Sequence, residues 1–430
     1  MDYLSIQEAM DQGEGDVAIR GWCHRVRGSG KVRFIVLRDS TNTIQCIVKK
    51  EDVPENVWDE AQKITHESSL ELYGEIKKDE RAPTGFEVLV RDLKLVGKSD
   101  TFPIQKDQST EFLLDKRHLW LRSQKITAVL KVRSTVFGAI DEFFRNQKYT
   151  EVQAPIFTPA ACEGGSTLFE VKYFDDVAYL TQSWQLYAEA MIAGLEKIYC
   201  ISPCFRSEKS KTSRHLAEFW MAEMEAAWIK LDGATKVAEE LIEFIVQKVI
   251  KTNLLELQIL KRDLSKLNHI KAPFHRMTYT EVLEKLKEKD NLNIEWGKDL
   301  RTIEEDTLMK HFDKPVIVTN YPKETMAFYK PADPSHPETA LCFDMLAPEG
   351  YGEIIGGSER ELDEQALIEG LKKQGENVED YEWYLDTRRY GAVPHSGFGL
   401  GVERVVAWIC GLENIKDAIP FPRTMLRMKP

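Results

Sequence analysis

The sequence predicts an α+β protein in which a small β-barrel precedes a larger domain built on a mainly antiparallel sheet flanked by helices. Three patterns support this prediction. Residues 17–97 alternate as short strands, residues 123–147 repeat as one long amphipathic helix, and the elements that follow show no regular βαβ rhythm. We therefore expect one domain at residues 1–97, a hinge at 98–122 and a second domain at 123–430.

The N-terminal barrel is predicted from five short runs of alternating apolar and polar residues, separated by turns that carry Gly, Asn and Ser. A helical stretch, VPENVWDEAQKI, lies between the third run and the fourth. This arrangement is typical of a Greek-key barrel of the OB type. A generic β-sandwich is the alternative, but aromatic and basic residues interleave on the first strands, as a nucleic-acid-binding face requires. The predicted strands are VAIRGWCHRV, RFIVLRD, TIQCIVKK, LELYGEIKK and FEVLVRDLKLVG.

The composition of the chain favours a protein of the reducing cytoplasm without a membrane span. No run of 18 apolar residues occurs, and the acidic N-terminus has no apolar signal core. The seven cysteines are scattered without a CxxC pair, which argues against a disulfide framework and against a zinc site. The net charge is −12, yet residues 18–50 hold eight Lys and Arg against one acid. This basic patch indicates a partner that docks in one place.

The segment 205-FRSEKSKTSRHLAEFW-220 places two arginines, two lysines, a histidine and two glutamates between apolar runs. A strand turn needs only a few polar residues, so the pattern predicts a loop that holds a highly charged ligand. A charge run on its own is more often a solvated hairpin. The groups suited to phosphate, to a flat base or to an exocyclic amine are Arg206, Arg214, His215, Phe219 and Glu208.

Two further segments support this interpretation. GFGLGVERVVAWICGL runs from a glycine-rich strand into a helix that ends at Gly411, with Arg404 in its first turn. The glycines permit close approach of a flat ligand to the backbone. A lone glycine-rich turn is weak evidence, but its pairing with the charged loop is strong. The third segment, KYTEVQAPIFTPAACEGG, follows the long helix and predicts an edge strand interrupted by Pro155.

Taken in chain order, these three segments resemble the signature motifs of the class II aminoacyl-tRNA synthetases, over nearly the whole chain. The resemblance is to the subclass for Asp, Asn and Lys, whose members carry an N-terminal OB domain for the anticodon. It implies that residues 123–430 form a class II catalytic domain. Motif 1, the helix through Phe144 and the strand at Pro155, forms the dimer interface in this family, so the resemblance also implies a homodimer.

Within that subclass, the segments TPAACEGGSTLFEV, FRSEKSKTSRHLAEFW and AIPFPRT resemble the asparaginyl branch. Aspartyl enzymes carry SPQLYK, whose lysine pairs with the substrate carboxylate, whereas 183-SWQLYAE-189 has Ala188 at that place. Loss of the cation removes the stabilisation of a buried carboxylate and leaves room for a neutral amide. Glu223 stands where aspartyl enzymes have Asp, and it would accept from an amide while repelling aspartate. Trp184 departs from the small residue or proline usual there.

The resemblance implies contacts for both substrates. Glu163 and Gln185 would hold the α-ammonium of asparagine, Arg360 its side-chain oxygen and Glu223 its amide nitrogen. Asp344 and Glu353, nine positions apart, offer hard oxygen ligands for Mg²⁺ that bridges phosphates. The implied ATP contacts are Arg206 on the α-phosphate, Glu208 on the adenine amine, Arg214 and His215 on the outer phosphates, Phe219 and Arg404 on the adenine, and Glu353 through the metal. Arg206 and Arg404 would be the catalytic residues.

The resemblance also assigns an anticodon face to the barrel. Phe34 corresponds to an aromatic residue that stacks on the central uridine, and Arg27 and Gln45 match neighbouring base-contacting positions. A lone strand phenylalanine is more often part of a core, so the match of all three positions carries the interpretation. Asparagine and aspartate anticodons share this uridine, so the barrel alone does not separate the two specificities.

The implied function is ATP-dependent ligation of L-asparagine to tRNA(Asn) in the cytoplasm, through an asparaginyl-adenylate. An aspartyl enzyme, including one that charges both tRNAs, is the first alternative, and Ala188 and Glu223 argue against it. An asparagine synthetase built on the same core would lack the barrel at residues 17–97. A non-catalytic RNA-binding paralogue is disfavoured because Arg206, Glu208, Glu353, Arg360 and Arg404 are all present.

Overall fold

In the computed structural model, the five strands predicted near the N-terminus close into a barrel. Neighbouring strands pair in the order β1-β2-β3-β5-β4, with β3 and β5 parallel and the other pairs antiparallel. The predicted helical insert is present between β3 and β4. The elements are α1 (Ile6–Gln12), β1 (Gly15–Arg27), β2 (Val32–Arg38), β3 (Thr43–Lys49), α2 (Glu55–Lys63), β4 (Ser69–Lys78) and β5 (Phe86–Gly97).

The barrel closes around side chains that alternate along each strand. In β2, Ile35 and Leu37 are fully buried, whereas Phe34 and Val36 lie on the outer face and are half-buried. Trp58 of α2 is buried in the same apolar core. Each fully buried aliphatic or aromatic side chain contributes about 1.5–3 kcal/mol. The prediction of an OB-type barrel is confirmed.

The structure describes residues 2–28, 30–162, 167–209, 212 and 214–430. The chain divides into two compact units, Met1–Leu113 and Leu114–Pro430. Within the described residues, every helix is too short or too polar to cross a bilayer. Each of the seven cysteines is buried.

The second unit is built on an eight-stranded sheet in the order β12-β13-β16-β17-β18-β11-β10-β6. The pairs β12/β13 and β10/β6 are parallel and the other pairs are antiparallel, which confirms the predicted α+β class. Smaller sheets are formed by β7-β9-β8 and by β14-β15. The strands are β6 (Thr150–Glu151), β7 (Phe157–Thr158), β8 (Glu170–Tyr173), β9 (Asp176–Leu180), β10 (Lys197–Phe205), β11 (Glu218–Ala227), β12 (His275–Thr278), β13 (Val316–Thr319), β14 (Ala332–Asp333), β15 (His336–Ala340), β16 (Cys342–Ala347), β17 (Gly352–Glu359) and β18 (His395–Gly401).

Helices α5, α7 and α14 cover one face of this sheet and share its main apolar core. Helix α5 is the predicted long helix, and Ser123 caps its N-terminus by accepting from the amide of Ile126. Helix α14 ends at Gly411 as predicted, with φ +67°. The helices are α3 (Thr110–Asp115), α4 (Arg117–Trp120), α5 (Gln124–Asn146), α6 (Gln185–Leu195), α7 (Leu231–Thr252), α8 (Leu254–Ile259), α9 (Ser265–Asn268), α10 (Tyr279–Asp290), α11 (Thr302–Met309), α12 (Glu364–Gln374), α13 (Glu382–Arg389) and α14 (Val402–Cys410).

Two local features differ from the sequence pattern. The stretch without periodicity after residue 98 contains the short helices α3 and α4. Arg117 is fully buried there and donates to the carbonyl oxygens of Pro420 and Ile419, both at 2.8 Å, so tertiary hydrogen bonds order a segment that local pattern does not. The predicted strand at Pro155 is wrong, because this proline lies in the connection between β6 and β7. Proline cannot donate to a ladder.

Candidate active site

The central strands of the large sheet bring the predicted site residues together. Strand β11 pairs with β10 on one side and with β18 on the other, and β18 pairs with β17. Glu223 of β11 lies opposite Gly399 of β18, which lies opposite Gly356 of β17. Residues two apart on a strand point to the same face. The glycines therefore leave space between the larger polar side chains of β11 and β17.

Close contacts explain why glycine occupies these strands. A Cβ atom at Gly397 would lie 2.0 Å from Oε2 of Glu225 and 2.6 Å from Nη2 of Arg360. A Cβ atom at Gly356 would lie 2.8 Å from Oε1 of Glu353. A larger residue at either position would displace an ionic group of the site. Gly397 of the glycine-rich motif and Gly356 of β17 thus leave the space that charged neighbours occupy.

Pocket A is a cleft whose lining includes every residue predicted to contact ATP. It is formed by the loop between β10 and β11 together with β17, β18 and helix α14. The structure therefore brings together the charged loop and the glycine-rich segment, which are far apart in the sequence. The predicted residues in its lining are Arg206, Glu208, Arg214, His215, Phe219, Glu353 and Arg404.

Two arginine side chains that line pocket A are held by contacts with other lining residues. The guanidinium carbon of Arg206 lies 5.5 Å from the centre of the Phe219 ring. Nη1 of Arg404 donates to the carbonyl oxygen of Glu353 at 2.6 Å and to its Oε2 at 3.1 Å. The pocket thus offers an aromatic ring and two guanidinium groups, which suit a purine base and its phosphates.

His215 lies close to Glu208 of the same charged loop. Its Nε2 lies 3.4 Å from Oε2 of Glu208. Burial lowers the pKa of His215 below its ordinary value, and Arg404 and Arg206 lower it further, whereas Glu208 opposes this effect. The imidazole is therefore neutral near pH 7 and can bind a phosphate oxygen as a hydrogen-bond donor.

Pocket B is a second cleft that adjoins pocket A. The two pockets share Arg206, Met221, Glu353 and Gly399. Glu163, which was predicted to bind the α-ammonium group, lies outside the described residues. The other residues predicted to bind the amino acid or a metal ion all line pocket B: Gln185, Glu223, Asp344, Glu353 and Arg360.

Glu223 is oriented by donors from the residues that precede helix α6. Its Oε1 accepts from the hydroxyl of Ser183, and its Oε2 accepts from the amide of Trp184 at 3.2 Å. The carboxylate is buried, so water does not compete with these bonds. Glu223 therefore presents a fixed acceptor to pocket B.

Arg360 is held by partners that the sequence analysis did not identify. Its Nη2 donates to Oε2 of Glu225 at 2.8 Å and its Nη1 to the hydroxyl of Ser358 at 2.9 Å. Burial alone would lower the pKa of Arg360, but Glu225 outweighs this effect and raises it. Glu225 lies two residues after Glu223 on one strand, so the period of a strand could have placed both on the same face.

A second missed residue, Glu189, lies at the centre of a buried network. Its Oε1 accepts from the side-chain Nε2 of Gln185 at 3.0 Å, and its Oε2 accepts from the hydroxyl of Tyr384 at 2.8 Å and from Nη2 of Arg388. Burial opposes the charge, but Arg388 and His395 keep the pKa of Glu189 well below its ordinary value. No periodicity links α6 to α13, so the sequence held no signal for this network.

Three carboxyl groups lie near one another: Glu353 lines both pockets, Asp344 lines pocket B, and Glu305 interacts with Glu353. Burial and the neighbouring Glu353 raise the pKa of Asp344 to about 8, and burial and Glu353 raise the pKa of Glu305 to about 7. Burial also acts on Glu353, but Arg404 and Arg206 outweigh it and lower its pKa. A hard divalent cation would relieve the mutual repulsion of these carboxyl groups and would favour their ionised forms. Glu305, on α11, was not identified from the sequence.

Trp184 and Ala188 form an apolar wall next to Glu223. Trp184 lines pocket B, and both residues are buried in a cluster with Ile192 and Cys200. Ala188 lies outside the described lining of pocket B. The small side chain of Ala188 thus does not enter pocket B, and its predicted role in selecting the amide stays a prediction. Of these two residues, Trp184 is the one that lines pocket B.

The three residues of the predicted anticodon face share the outer surface of the barrel. Arg27 pairs with Phe34 across β1 and β2, and its guanidinium carbon lies 5.4 Å from the centre of the Phe34 ring. On the neighbouring strand, Gln45 faces Val36 and donates to Oε2 of Glu87 at 3.4 Å. Gln45 is only 9% exposed, so it offers less surface to a ligand than Phe34 and Arg27.

Comparison with known proteins agrees with this geometry. A family model described as "tRNA synthetases class II (D, K and N)" matches residues 109–425, and a model described as "OB-fold nucleic acid binding domain" matches residues 17–96. The asparagine–tRNA ligase of Thermoplasma acidophilum is 48% identical over 414 residues, which is 96% of each chain. The asparagine–tRNA ligase of Thermococcus kodakarensis is 48% identical over 432 residues and covers 100% of both chains.

A solved structure gives the same result. The crystal structure of asparaginyl-tRNA synthetase from Pyrococcus horikoshii complexed with asparaginyl-adenylate matches with a TM-score of 0.97 at 45% identity, over 100% of both chains. The resemblance drawn from the three sequence motifs is confirmed. The chain belongs to the class II tRNA synthetases of the aspartate, lysine and asparagine group and, within that group, to the family of asparagine–tRNA ligases.

Proposed function

We propose that this chain ligates L-asparagine to tRNA(Asn) in an ATP-dependent reaction, through an asparaginyl-adenylate and with release of pyrophosphate and AMP. Its relatives named asparagine–tRNA ligase support the proposal. One observation carries it: pockets A and B meet at Arg206 and Glu353. ATP in pocket A and asparagine in pocket B would place the α-phosphate beside the attacking carboxylate.

The first step needs no general base, because the asparagine carboxylate is already an anion. An oxygen of this carboxylate attacks the α-phosphorus of ATP, and pyrophosphate leaves. Arg206, which lines both pockets, is proposed to bind the carboxylate and the α-phosphate together. Phe219 and Arg404 are proposed to enclose the adenine, with Arg404 also near the γ-phosphate. Catalysis then consists of positioning and charge neutralisation.

Asp344 and Glu353 are proposed to hold Mg²⁺. Both carboxylates approach Gly356, since a Cβ atom there would lie 2.8 Å from Oε1 of Glu353 and 3.4 Å from Oδ1 of Asp344. Bound Mg²⁺ would neutralise charge on the phosphates of ATP. Glu305 adds negative potential close to this pair.

The amino-acid specificity is proposed to rest on Glu223 and Arg360. Glu223 would accept from the side-chain amide nitrogen of asparagine, and Arg360 would donate to the side-chain oxygen. Gln185 is proposed to contact the α-ammonium group. Aspartate would bring a second carboxylate towards Glu223, and the fixed acceptor would then face an anion without a donor. A site built for a donor rejects an analogue that lacks it by a factor of up to about 10⁴–10⁵.

Ala188→Lys is expected to destabilise the protein without creating aspartate activity. Ala188 is fully buried among apolar residues beside Trp184, and a buried ammonium group costs several kcal/mol. Thermal unfolding followed by circular dichroism would measure the loss, and aspartate-dependent pyrophosphate exchange would measure the specificity. A stable variant that activates aspartate would show that the lysine reaches pocket B, and it would contradict the expectation that residue 188 stays within the apolar cluster.

The second step transfers the asparaginyl group to the terminal adenosine of the tRNA. Class II enzymes favour its 3′-hydroxyl. The barrel is proposed to bind the anticodon through Phe34, Arg27 and Gln45. The ring of Phe34 lies beside the Arg27 guanidinium on the outer face, where it can stack on a splayed base.

Phe34→Ala is expected to weaken tRNA charging without changing asparagine activation. The loss of one base stack is worth about 1–3 kcal/mol, so kcat/KM for tRNA should fall by about 5- to 150-fold. Pyrophosphate exchange in the absence of tRNA is the internal control. Tyr3→Ala, which removes an exposed aromatic from the same unit, is the matched control. Equal loss in both variants would contradict a specific role for Phe34.

A homodimer is also proposed. The β7-β9-β8 sheet, which follows motif 1, exposes Phe157, Tyr173, Phe174 and Val177. The rings of Phe157 and Tyr173 lie 5.7 Å apart, and those of Tyr173 and Phe174 lie 4.9 Å apart, so the patch is continuous. An exposed apolar patch of this kind favours contact with another protein surface. Sedimentation of the purified chain would test the stoichiometry.

A cytoplasmic location and the domain bounds 1–97, 98–122 and 123–430 complete the proposal. Seven buried cysteines fit a reducing compartment. The match to the OB-fold model ends at residue 96 and the match to the class II model begins at residue 109, which is compatible with a connecting segment between them. Limited proteolysis would show whether cleavage concentrates within that segment.

The experiment that tests the function is transfer of labelled asparagine to a tRNA(Asn) transcript. The purified chain should form asparaginyl-tRNA only when ATP is present. Formation of free asparagine from aspartate and ammonia, without tRNA, would favour the asparagine synthetase alternative. Absence of both products would support a non-catalytic role.

A further inference from the structure

Helix α11 places an acidic residue on the arginine that the proposed function assigns to the outer phosphates of ATP. Nη2 of Arg214 donates to Oδ1 of Asp306 at 2.7 Å and to Oδ2 at 2.8 Å. The same nitrogen donates to the carbonyl oxygen of Gly350. Arg214 is thus tied to α11 and to the turn between β16 and β17, although it belongs to the loop between β10 and β11.

All these bonds use one end of the guanidinium group. Nη1 of Arg214 is buried, and none of the described residues is its hydrogen-bond partner. Arg214 lines pocket A. A buried donor without a partner is unfavourable until an acceptor arrives. The free end of this guanidinium is therefore suited to an anionic ligand in pocket A, while its other end is already held.

Glycines in the turn after β16 and at the start of β17 leave space for the side chain of Arg214. A Cβ atom at Gly350 would lie 3.8 Å from Nη2 of Arg214, and a Cβ atom at Gly352 would lie 3.1 Å from Nη1. Gly352 also lies close to α11, since the same Cβ would be 2.8 Å from Oε2 of Glu305. A larger residue at Gly352 would displace Arg214 or Glu305. The turn and α11 together therefore enclose the guanidinium group of Arg214.

We propose that Asp306 is a positioning residue for ATP binding, which holds Arg214 so that Nη1 donates to the outer phosphates. The inference rests on the proposed use of ATP in pocket A. A long, flexible side chain normally loses freedom when a ligand arrives, and a side chain that is held beforehand loses less. Asp306 also keeps the guanidinium oriented as a fork, which suits phosphate oxygens.

The opposite role makes the opposite prediction. If Asp306 competes with phosphate for Arg214, then removal of its negative charge would release the arginine and strengthen ATP binding. If Asp306 positions Arg214, its removal would weaken ATP binding. The sign of the change in ATP affinity therefore separates the two roles.

The test is equilibrium binding of ATP with Mg²⁺ to the full chain, by isothermal titration calorimetry. Asp306→Ala is expected to raise the Kd for ATP by about tenfold, which is the effect of losing one well-placed charge-assisted contact. Asp306→Asn keeps one acceptor oxygen and should show a smaller increase. Asp313→Ala, which removes a largely exposed carboxylate shortly after α11, is the matched control and should leave Kd unchanged.

A double-mutant cycle shows whether Asp306 acts through Arg214. In an Arg214→Ala background, Asp306→Ala should have no further effect on Kd for ATP. The KM for asparagine should not change in either variant, because pocket B does not include these residues among its described lining. An equal or lower Kd for Asp306→Ala would overturn the proposal, as would a full effect in the absence of the Arg214 side chain. Binding is measured without catalysis, so a failure of the proposed function would appear separately as absent pyrophosphate exchange.

Discussion

Arg206→Ala is expected to lower kcat for asparagine-dependent pyrophosphate exchange by about 10²–10³-fold, the usual effect of removing one donor that stabilises developing charge. Arg206 lies where pockets A and B meet, beside Phe219 and close to Glu353. The attacking carboxylate and the α-phosphate both carry negative charge. Without the guanidinium group their repulsion raises the barrier, and no other side chain lines both pockets with a positive charge among the described residues.

The controls for Arg206 separate chemistry from folding. Arg81→Ala removes a guanidinium that is 90% exposed in the barrel unit and should leave kcat unchanged. Arg206→Lys keeps a charge but loses the two-pronged geometry, so we expect only partial recovery. A variant without Arg206 that retains full kcat, with circular dichroism like that of the native chain, would show that the pockets do not meet around the reacting atoms.

Arg388→Ala is expected to destabilise the second unit by about 3–5 kcal/mol, because it leaves a buried carboxylate without its main counter-charge. The side chain of Arg388 is 1% exposed and that of Glu189 is 0% exposed. Arg388 also donates to the backbone oxygen of Glu361 at 2.9 Å. Urea unfolding followed by near-ultraviolet circular dichroism would measure the shift in midpoint.

A matched double variant tests the reason for this loss. Arg388→Met with Glu189→Gln removes both charges and should recover part of the stability lost in Arg388→Met alone. Gln185 bonds to Glu189 at 3.0 Å, so KM for asparagine should rise in the variants. Losses that simply add would contradict the view that charge pairing dominates this network.

The fold could be predicted largely from local patterns. Alternation in β2, with Ile35 and Leu37 inside and Phe34 outside, and the helical period of α5 are properties of neighbouring residues. The glycines of β18 could be recognised as an unusual run, but the reason for them lies in other elements: Glu225 and Arg360 lie close to Gly397, and Met221 lies close to Gly399. The short helix α4 escaped prediction because Arg117 is held by the distant carbonyl groups of Ile419 and Pro420.

The site was predictable only where a motif marked it. The charge of the loop between β10 and β11 indicated Arg206, and the resemblance indicated Phe219 at the start of β11. Glu189 and Arg388 are 199 positions apart and sit on helices without distinctive patterns, so their pairing depends on tertiary structure. Asp306 was missed for the same reason, since its contact with Arg214 spans 92 positions. Trp184 was noticed as unusual, but its place in the wall of pocket B required the structure.

The central claim is that Glu223 and Arg360 accept a neutral side-chain amide. The most direct test is pyrophosphate exchange by the native chain with asparagine and with aspartate, measured side by side as kcat/KM. We expect asparagine to be preferred by about 10³-fold or more, since aspartate lacks the donor that Glu223 requires. Equal kcat/KM values for the two amino acids would contradict the claim.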